Sequence, residues 1–119
     1  MSEAKEVIYV VENSVAWLRL NRPEHMNAMT NGLMQGISAG VANVREDPSI
    51  RALVITGEGR GFCAGADLNQ VADGSSPAES AGKPAEETSV DYFNTALADL
   101  KNCPVPTIAK VNGAAAGGG

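Results

Sequence analysis

Hydrophobic and polar residues alternate along this chain with two different periods. Val7-Ile8-Tyr9-Val10-Val11 and Val15-Ala16-Trp17-Leu18-Arg19-Leu20 are short runs rich in β-branched and aromatic residues, separated by Glu12-Asn13-Ser14. They predict a short antiparallel hairpin. Asn21-Arg22-Pro23-Glu24 then breaks the second strand. From Thr30 to about Arg45 the period becomes helical, because Leu33, Ile37, Val41 and Val44 recur along one face. Gly32, Gly36 and Gly40 repeat every four residues in the same helix. Each weakens it, so the pattern predicts close approach of another backbone. Glu46-Asp47-Pro48-Ser49 ends the helix, since proline cannot continue it.

Residues 51–56 form an unbroken, largely apolar strand closed by Gly57. Such a run suits a strand covered on both faces, as in a parallel sheet with crossover helices. A glycine-rich turn leads to Asp67-Leu68-Asn69-Gln70, whose spacing reads as a capping box on a short helix from Leu68 to about Ala72. Residues 73–87 are rich in Gly, Ser, Pro, Ala and Glu and read as a long mobile loop, either a lid or a solvated insertion. A second helix spans roughly Ser89 to Asn102, with Phe93, Ala96, Leu97 and Leu100 on its buried face. Beyond Pro104 and Pro106, Thr107-Ile108-Ala109-Lys110-Val111 is a last strand leading into Asn112-Gly113. The order is α/β, built from strand, glycine-turn and helix units.

At 119 residues the chain fits one small domain. A terminus of Gly117-Gly118-Gly119 straight after a strand reads as a truncation, so residues 1–119 are expected to be the N-terminal portion of a larger core domain. The net charge of −5 argues against a nucleic-acid partner. No segment is apolar over the length needed to span a membrane, and the polar N-terminus does not resemble a signal peptide, so a cytoplasmic protein is expected. Cys63 and Cys103 form no metal-like cluster and no disulfide framework. They read as free thiols acting as small core residues, and no metal site is expected. Trp17 and Phe62 read as core residues rather than stacking platforms.

Gly57-Glu58-Gly59-Arg60-Gly61 follows a strand as a dinucleotide fingerprint would. However, G-x-G-x-x-G requires glycine at 62, where Phe62 stands, and no phosphate-loop motif is present. The alternative lies in the backbone. Two strands each run into minimal side chains, at Ala64-Gly65-Ala66 and at Gly117-Gly118-Gly119. Ala66 offers no polar side chain, but its N–H can donate and its methyl leaves room for a substrate. Two such N–H groups about 3 Å from an acyl oxygen stabilise the anion that develops there, and losing one from an established oxyanion hole costs roughly 3–4 kcal/mol of barrier.

Leu20-Asn21-Arg22-Pro23-Glu24 with Asn27-Ala28-Met29, then Gly61-Phe62-Cys63-Ala64-Gly65-Ala66-Asp67-Leu68, then Val111-Asn112-Gly113 with Gly117-Gly118-Gly119, resembles the enoyl-CoA hydratase/isomerase (crotonase) family. The resemblance covers essentially the whole chain in order. It implies a crotonase-like spiral of ββα units, truncated before its C-terminal half, and a parent that assembles as a homotrimer or hexamer. It also implies that Ala66 and Gly118 supply the two oxyanion amides, and that Ala64, Asp67 and Leu68 line the path of coenzyme A. His25 to Ala28 would lie near the coenzyme too, which enters as part of an acyl-CoA or enoyl-CoA substrate rather than as a separate cofactor. Arg22 and Lys110 are candidates to pair with its phosphates. Asp67 reads as a structural cap, because a full negative charge beside a forming anion is unfavourable. His25 has no evident acid–base partner.

Adding water to a double bond also needs a proton-transfer group. In hydratases of this family both carboxylates lie beyond the triple glycine, so the resemblance implies an enoyl-CoA hydratase parent and an inactive 119-residue chain. The alternatives are an isomerase or another acyl-CoA reaction of the family, or a non-catalytic acyl-CoA-binding or structural module.

Overall fold

A computed structural model describes residues 5–67 and 89–119. Strands β1 (Val7–Glu12) and β2 (Val15–Leu20) form the expected hairpin, with Glu12 opposite Val15. Asn13 and Ser14 between them both take positive φ, 51° and 67°. That pair of left-handed residues makes the two-residue turn whose twist matches the strands. After a single 3-10 turn at Pro23–His25 comes helix α1 (Asn31–Glu46), capped by the Thr30 hydroxyl, which accepts from the Leu33 N–H. Strand β3 (Ala52–Gly57), helix α2 (Ser89–Lys101) and strand β4 (Thr107–Lys110) follow. The ββα order implied by the resemblance is present, on an open four-stranded sheet of order β1-β2-β3-β4. β1 and β2 are antiparallel, whereas β2, β3 and β4 run parallel. The short helix and the mobile loop expected between 68 and 87 lie outside the described residues.

Both helices pack on one face of the sheet. Ala16, Leu18, Leu20 and Leu53 from the strands meet Leu33, Met34, Ile37, Val41 and Val44 from α1 and Ala96 from α2, all at 6% exposure or less. The expected face of α1 is therefore correct. On α2 the assignment shifts, with Ala96 at its centre and Leu97 47% exposed. The α1 glycines meet side chains rather than another backbone: a Cβ at Gly32 would strike the Glu6 carboxylate, at Gly36 the Val7 side chain, and at Gly40 the Leu18 side chain. They let the helix settle on the β1–β2 hairpin.

The second face of the sheet differs from the doubly covered strand that the apolar run predicted. Both described helices lie on the opposite face, while on this one Glu58, just past β3, pairs with Arg19 at 3.2 Å. Val10, Trp17, Val54 and Ile108 stand in one row across all four strands, with Val10 and Ile108 37% and 51% exposed. Trp17 lies there, outside the core, with the Arg19 guanidinium and the Lys110 ammonium each 5.7 Å from its ring centre. Lys110 reaches it from two strands away, across β3, where its register partner Thr56 is 7% exposed and Val54, beside Trp17, 8%. Phe62, Cys103 and the buried Cys63 do join the core, and both thiols are free.

Candidate functional site

Parallel pairing puts the C-terminal ends of β2, β3 and β4 at one edge of the sheet, where ligands of open α/β sheets are held. Three segments leave from that edge: 21–29, 58–67 and 111–119. Hydrogen bonds weave them together, with the middle one at the centre. On one side, the Ala64 N–H donates to the Met26 carbonyl (3.0 Å), Met29 N–H to Gly65 (2.7 Å), and Asp67 N–H to Met29 (3.0 Å). On the other, the N–H groups of Phe62 and Cys63 donate to the Ala114 carbonyl (3.0 and 3.2 Å), and that of Ala116 to Cys63 (3.0 Å).

Two asparagines hold the turn between β3 and the central segment. Asn27 is fully buried, with φ of 56°, a conformation asparagine tolerates better than most residues. Its side-chain oxygen accepts from the Arg22 N–H (2.7 Å), and its amide donates to the carbonyls of Glu58 (3.0 Å) and Gly61 (2.9 Å). Asn112 approaches the same turn from β4. Its oxygen accepts from the Gly57 N–H (3.0 Å), and its amide donates to Gly59 (3.1 Å) and Gly61 (3.2 Å). Sequence reasoning gave neither side chain a role, since apart from the Asn27–Arg22 bond their partners lie more than thirty positions away in sequence; the one available signal was their place in the quoted motifs.

Arg22 and Asp67 form an ion pair at 2.9 Å, with side chains 13% and 10% exposed. The Arg22 guanidinium also donates to the Ala28 carbonyl (2.6 Å) and lies 3.8 Å from Glu6. The Asp67 and Ala28 contacts both fall on Nη1, so Arg22 is anchored within the protein rather than extended to solvent. Lys110 lies by Trp17, on the open sheet face.

The two amides singled out from the sequence lie on adjoining segments. The Gly65 carbonyl points at Met29, and in a trans peptide the following N–H, that of Ala66, points the opposite way. The 114–119 segment packs against Gly65. There a Cβ on Gly65, whose φ is 105°, would come 3.0 Å from the Ala116 oxygen, and one on Gly117 would come 3.7 Å from the Gly65 Cα. The contact at Gly65 is tight and that at Gly117 is ordinary, so it is the positive φ of both that favours glycine. Ala116 to Gly119 is a tight turn closed by the Gly119 N–H on the Ala116 carbonyl (2.8 Å), with Gly117 at φ 57°. The Gly118 N–H is not part of that closure. Among the described residues, neither the Ala66 nor the Gly118 N–H has a hydrogen-bond acceptor, and both residues are exposed.

Of the other sequence-predicted residues, Ala64 is exposed beside Met26, Ala28 is half-buried with its carbonyl held by Arg22, and His25 is exposed at the end of the 3-10 turn. Leu68 lies outside the described residues. An apolar cavity of about 100 Å³ opens beside Gly118, lined there by Met29, Phe62, Cys63, Phe93 and Leu97. Burial pushes the Cys63 thiol above its ordinary range, so it is a poor nucleophile. No metal-binding cluster and no helix long and apolar enough to cross a membrane occurs among the described residues.

The enoyl-CoA hydratase/isomerase family model matches residues 10–119. The chain belongs to this family. The chain is 36% identical to "Probable enoyl-CoA hydratase EchA14" of Mycobacterium tuberculosis over 119 residues, covering all of this chain and 44% of that protein. It is 40% identical to the 1,2-epoxyphenylacetyl-CoA isomerase of Escherichia coli over 110 residues, covering 92% of this chain and 40% of that protein. The crystal structure of an enoyl-CoA hydratase from Bacillus anthracis superposes with a TM-score of 0.83 at 28% identity, over 96% of this chain and 42% of that one. The family member described here therefore spans less than half the length of each.

Proposed function

We propose that this family member binds an acyl-CoA thioester and polarises its carbonyl between the N–H groups of Ala66 and Gly118. The observation carrying the reading is the Ala66 N–H, turned away from Met29 and lacking an acceptor among the described residues, next to a Gly65 that packs against Ala116 and Gly117. Two aimed main-chain donors require no side-chain movement to meet an anion, which is why such holes lower barriers so effectively. In the longer protein the reaction is addition of water to a 2,3-enoyl thioester, with the proton-transfer groups supplied from beyond Gly119. Ala64, Ala28 and His25 then flank the coenzyme, while Asp67 acts through Arg22. This reading carries with it a cytoplasmic trimer or hexamer. An isomerisation is the second reading, favoured by the 40% identity to an isomerase.

Isotope-edited infrared spectroscopy tests the proposal. The thioester carbonyl of ¹³C-labelled butanoyl-CoA should shift to lower frequency on binding, and crotonyl-CoA should bind without turnover. Binding with an unshifted carbonyl, or no binding, would refute the amide pair.

A further inference from the structure

The two asparagine side chains converge on one atom. The Gly61 carbonyl accepts from Asn27 at 2.9 Å and from Asn112 at 3.2 Å, using both of its lone pairs. Each amide also grips a different neighbour of the same turn: Asn27 takes Glu58, and Asn112 takes Gly57 and Gly59. The Asn112 side chain thus bridges Gly57, Gly59 and Gly61, accepting from the first and donating to the other two. It continues the β3–β4 pairing past Thr56 and Lys110, where the regular ladder stops. Close packing reinforces the join, since a Cβ on Gly113 would strike the Arg60 carbonyl.

From this clamp the chain runs five residues to Ala66 and, on the other strand, six to Gly118. The clamp fixes the point at which both segments leave the sheet, ahead of the Cys63–Ala115 bridge that ties them again further on. We infer that Asn112, with Asn27 behind it, is a positioning residue that sets the separation of the Ala66 and Gly118 N–H groups. The inference deepens the amide-pair reading and rests on it. Geometry makes such a role consequential: a misplacement of about 1 Å costs on the order of 10²-fold in rate.

At 12.3 kDa the chain suits amide NMR. Asn112 is exposed, so Asn112→Asp, which keeps the acceptor for Gly57 but removes both donors, is the first variant and Asn112→Ala the second. Without ligand, the Ala66 and Gly118 resonances should move in both variants while those of Leu18 and Leu53 in the core stay in place. With butanoyl-CoA, both amides should move downfield in the parent chain, and most of that displacement should be lost in the variants. The preference for butanoyl-CoA over free coenzyme A should fall about tenfold, the worth of one ordinary hydrogen bond. Variants with parent-like Ala66 and Gly118 resonances, free and bound, would overturn the inference. So would unfolding of both variants, which would make Asn112 a stability residue alone. A parent chain whose amides ignore the ligand, but whose free resonances still respond to Asn112→Asp, would sink the oxyanion reading and leave the clamp as a fact of structure.

Discussion

Removing the Arg22 guanidinium should be the most damaging single change near the site. Arg22→Ala deletes a 2.9 Å ion pair whose two side chains are 13% and 10% exposed, along with a 2.6 Å charge-assisted bond to the Ala28 carbonyl. Breaking a buried pair from one side costs about 3–5 kcal/mol, because the partner's charge stays in a poorly solvated place. The residual exposure puts this pair at the low end, about 3 kcal/mol. Set against a domain stability of roughly 5–15 kcal/mol, that is a large fraction. Urea unfolding read by circular dichroism should show the midpoint falling by about 1–3 M with an unchanged slope, given a slope of about 1–3 kcal/mol/M. Asp67→Asn alone should cost less, since the Arg22 charge it leaves behind keeps the Ala28 carbonyl at 2.6 Å and the Glu6 carboxylate at 3.8 Å. The double variant Arg22→Ala with Asp67→Asn should recover part of the loss, giving a coupling of about 1–3 kcal/mol. An Arg22→Ala midpoint within about 0.5 kcal/mol of the parent, or a coupling near zero, would refute the reasoning.

Gly40→Ala and Gly32→Ala should shift the melting temperature in opposite directions. The first drives a methyl into the fully buried Leu18, at a cost of about 1–3 kcal/mol that outweighs a helix-propensity gain of roughly 0.5–1 kcal/mol; the second meets the Glu6 carboxylate, which accepts from the Thr30 hydroxyl at 2.7 Å but is 36% exposed and can swing aside, so part of the gain is kept. Thermal melts showing the same sign for both would contradict this. A thiol reagent should label Cys103 in the folded protein and reach the buried Cys63 only on unfolding. Because the folded Cys63 thiol holds its proton beyond its ordinary pKa of 9.0, its contribution to stability is complete below that value. It falls as pH rises from there towards the native pKa, where the unfolded chain has ionised and the native one has not. Urea midpoints across that range should therefore drop further for the parent than for Cys63→Ala, and parallel slopes would disprove it.

Much of the fold could be read from the sequence because its signals are local. The Val7–Leu20 hairpin has a two-residue turn between strand-like runs, and α1 has a regular apolar face with a proline stop, so element limits agree within a residue or two. The two glycine-bearing segments singled out in the sequence lie side by side in the structure. What failed depends on distant partners. An apolar run such as 52–57 states that a strand is sheltered, not by what; here Lys110 from β4 reaches across it to Trp17. The same cause misplaced Trp17, whose ring is flanked by cations on an open face. Gly32, Gly36 and Gly40 announce a close neighbour without saying whether it is a backbone or a side chain. Asn27 and Asn112 are ordinary turn residues by composition, and only the folded chain reveals that both reach Gly61.

The parallel arrangement of β2, β3 and β4 has a bearing on when the site comes into being. A hairpin such as β1–β2 closes within a few residues, but each parallel pairing must wait for an intervening helix to return the chain, and distant closures are slow. Every bond that Asn112 makes to the β3 turn joins positions 51–55 apart in sequence. A nascent or partly unfolded chain can thus possess hairpin and helix while having no amide cradle at all. Ligand affinity should appear last on refolding and vanish first on denaturation, ahead of the bulk helical signal.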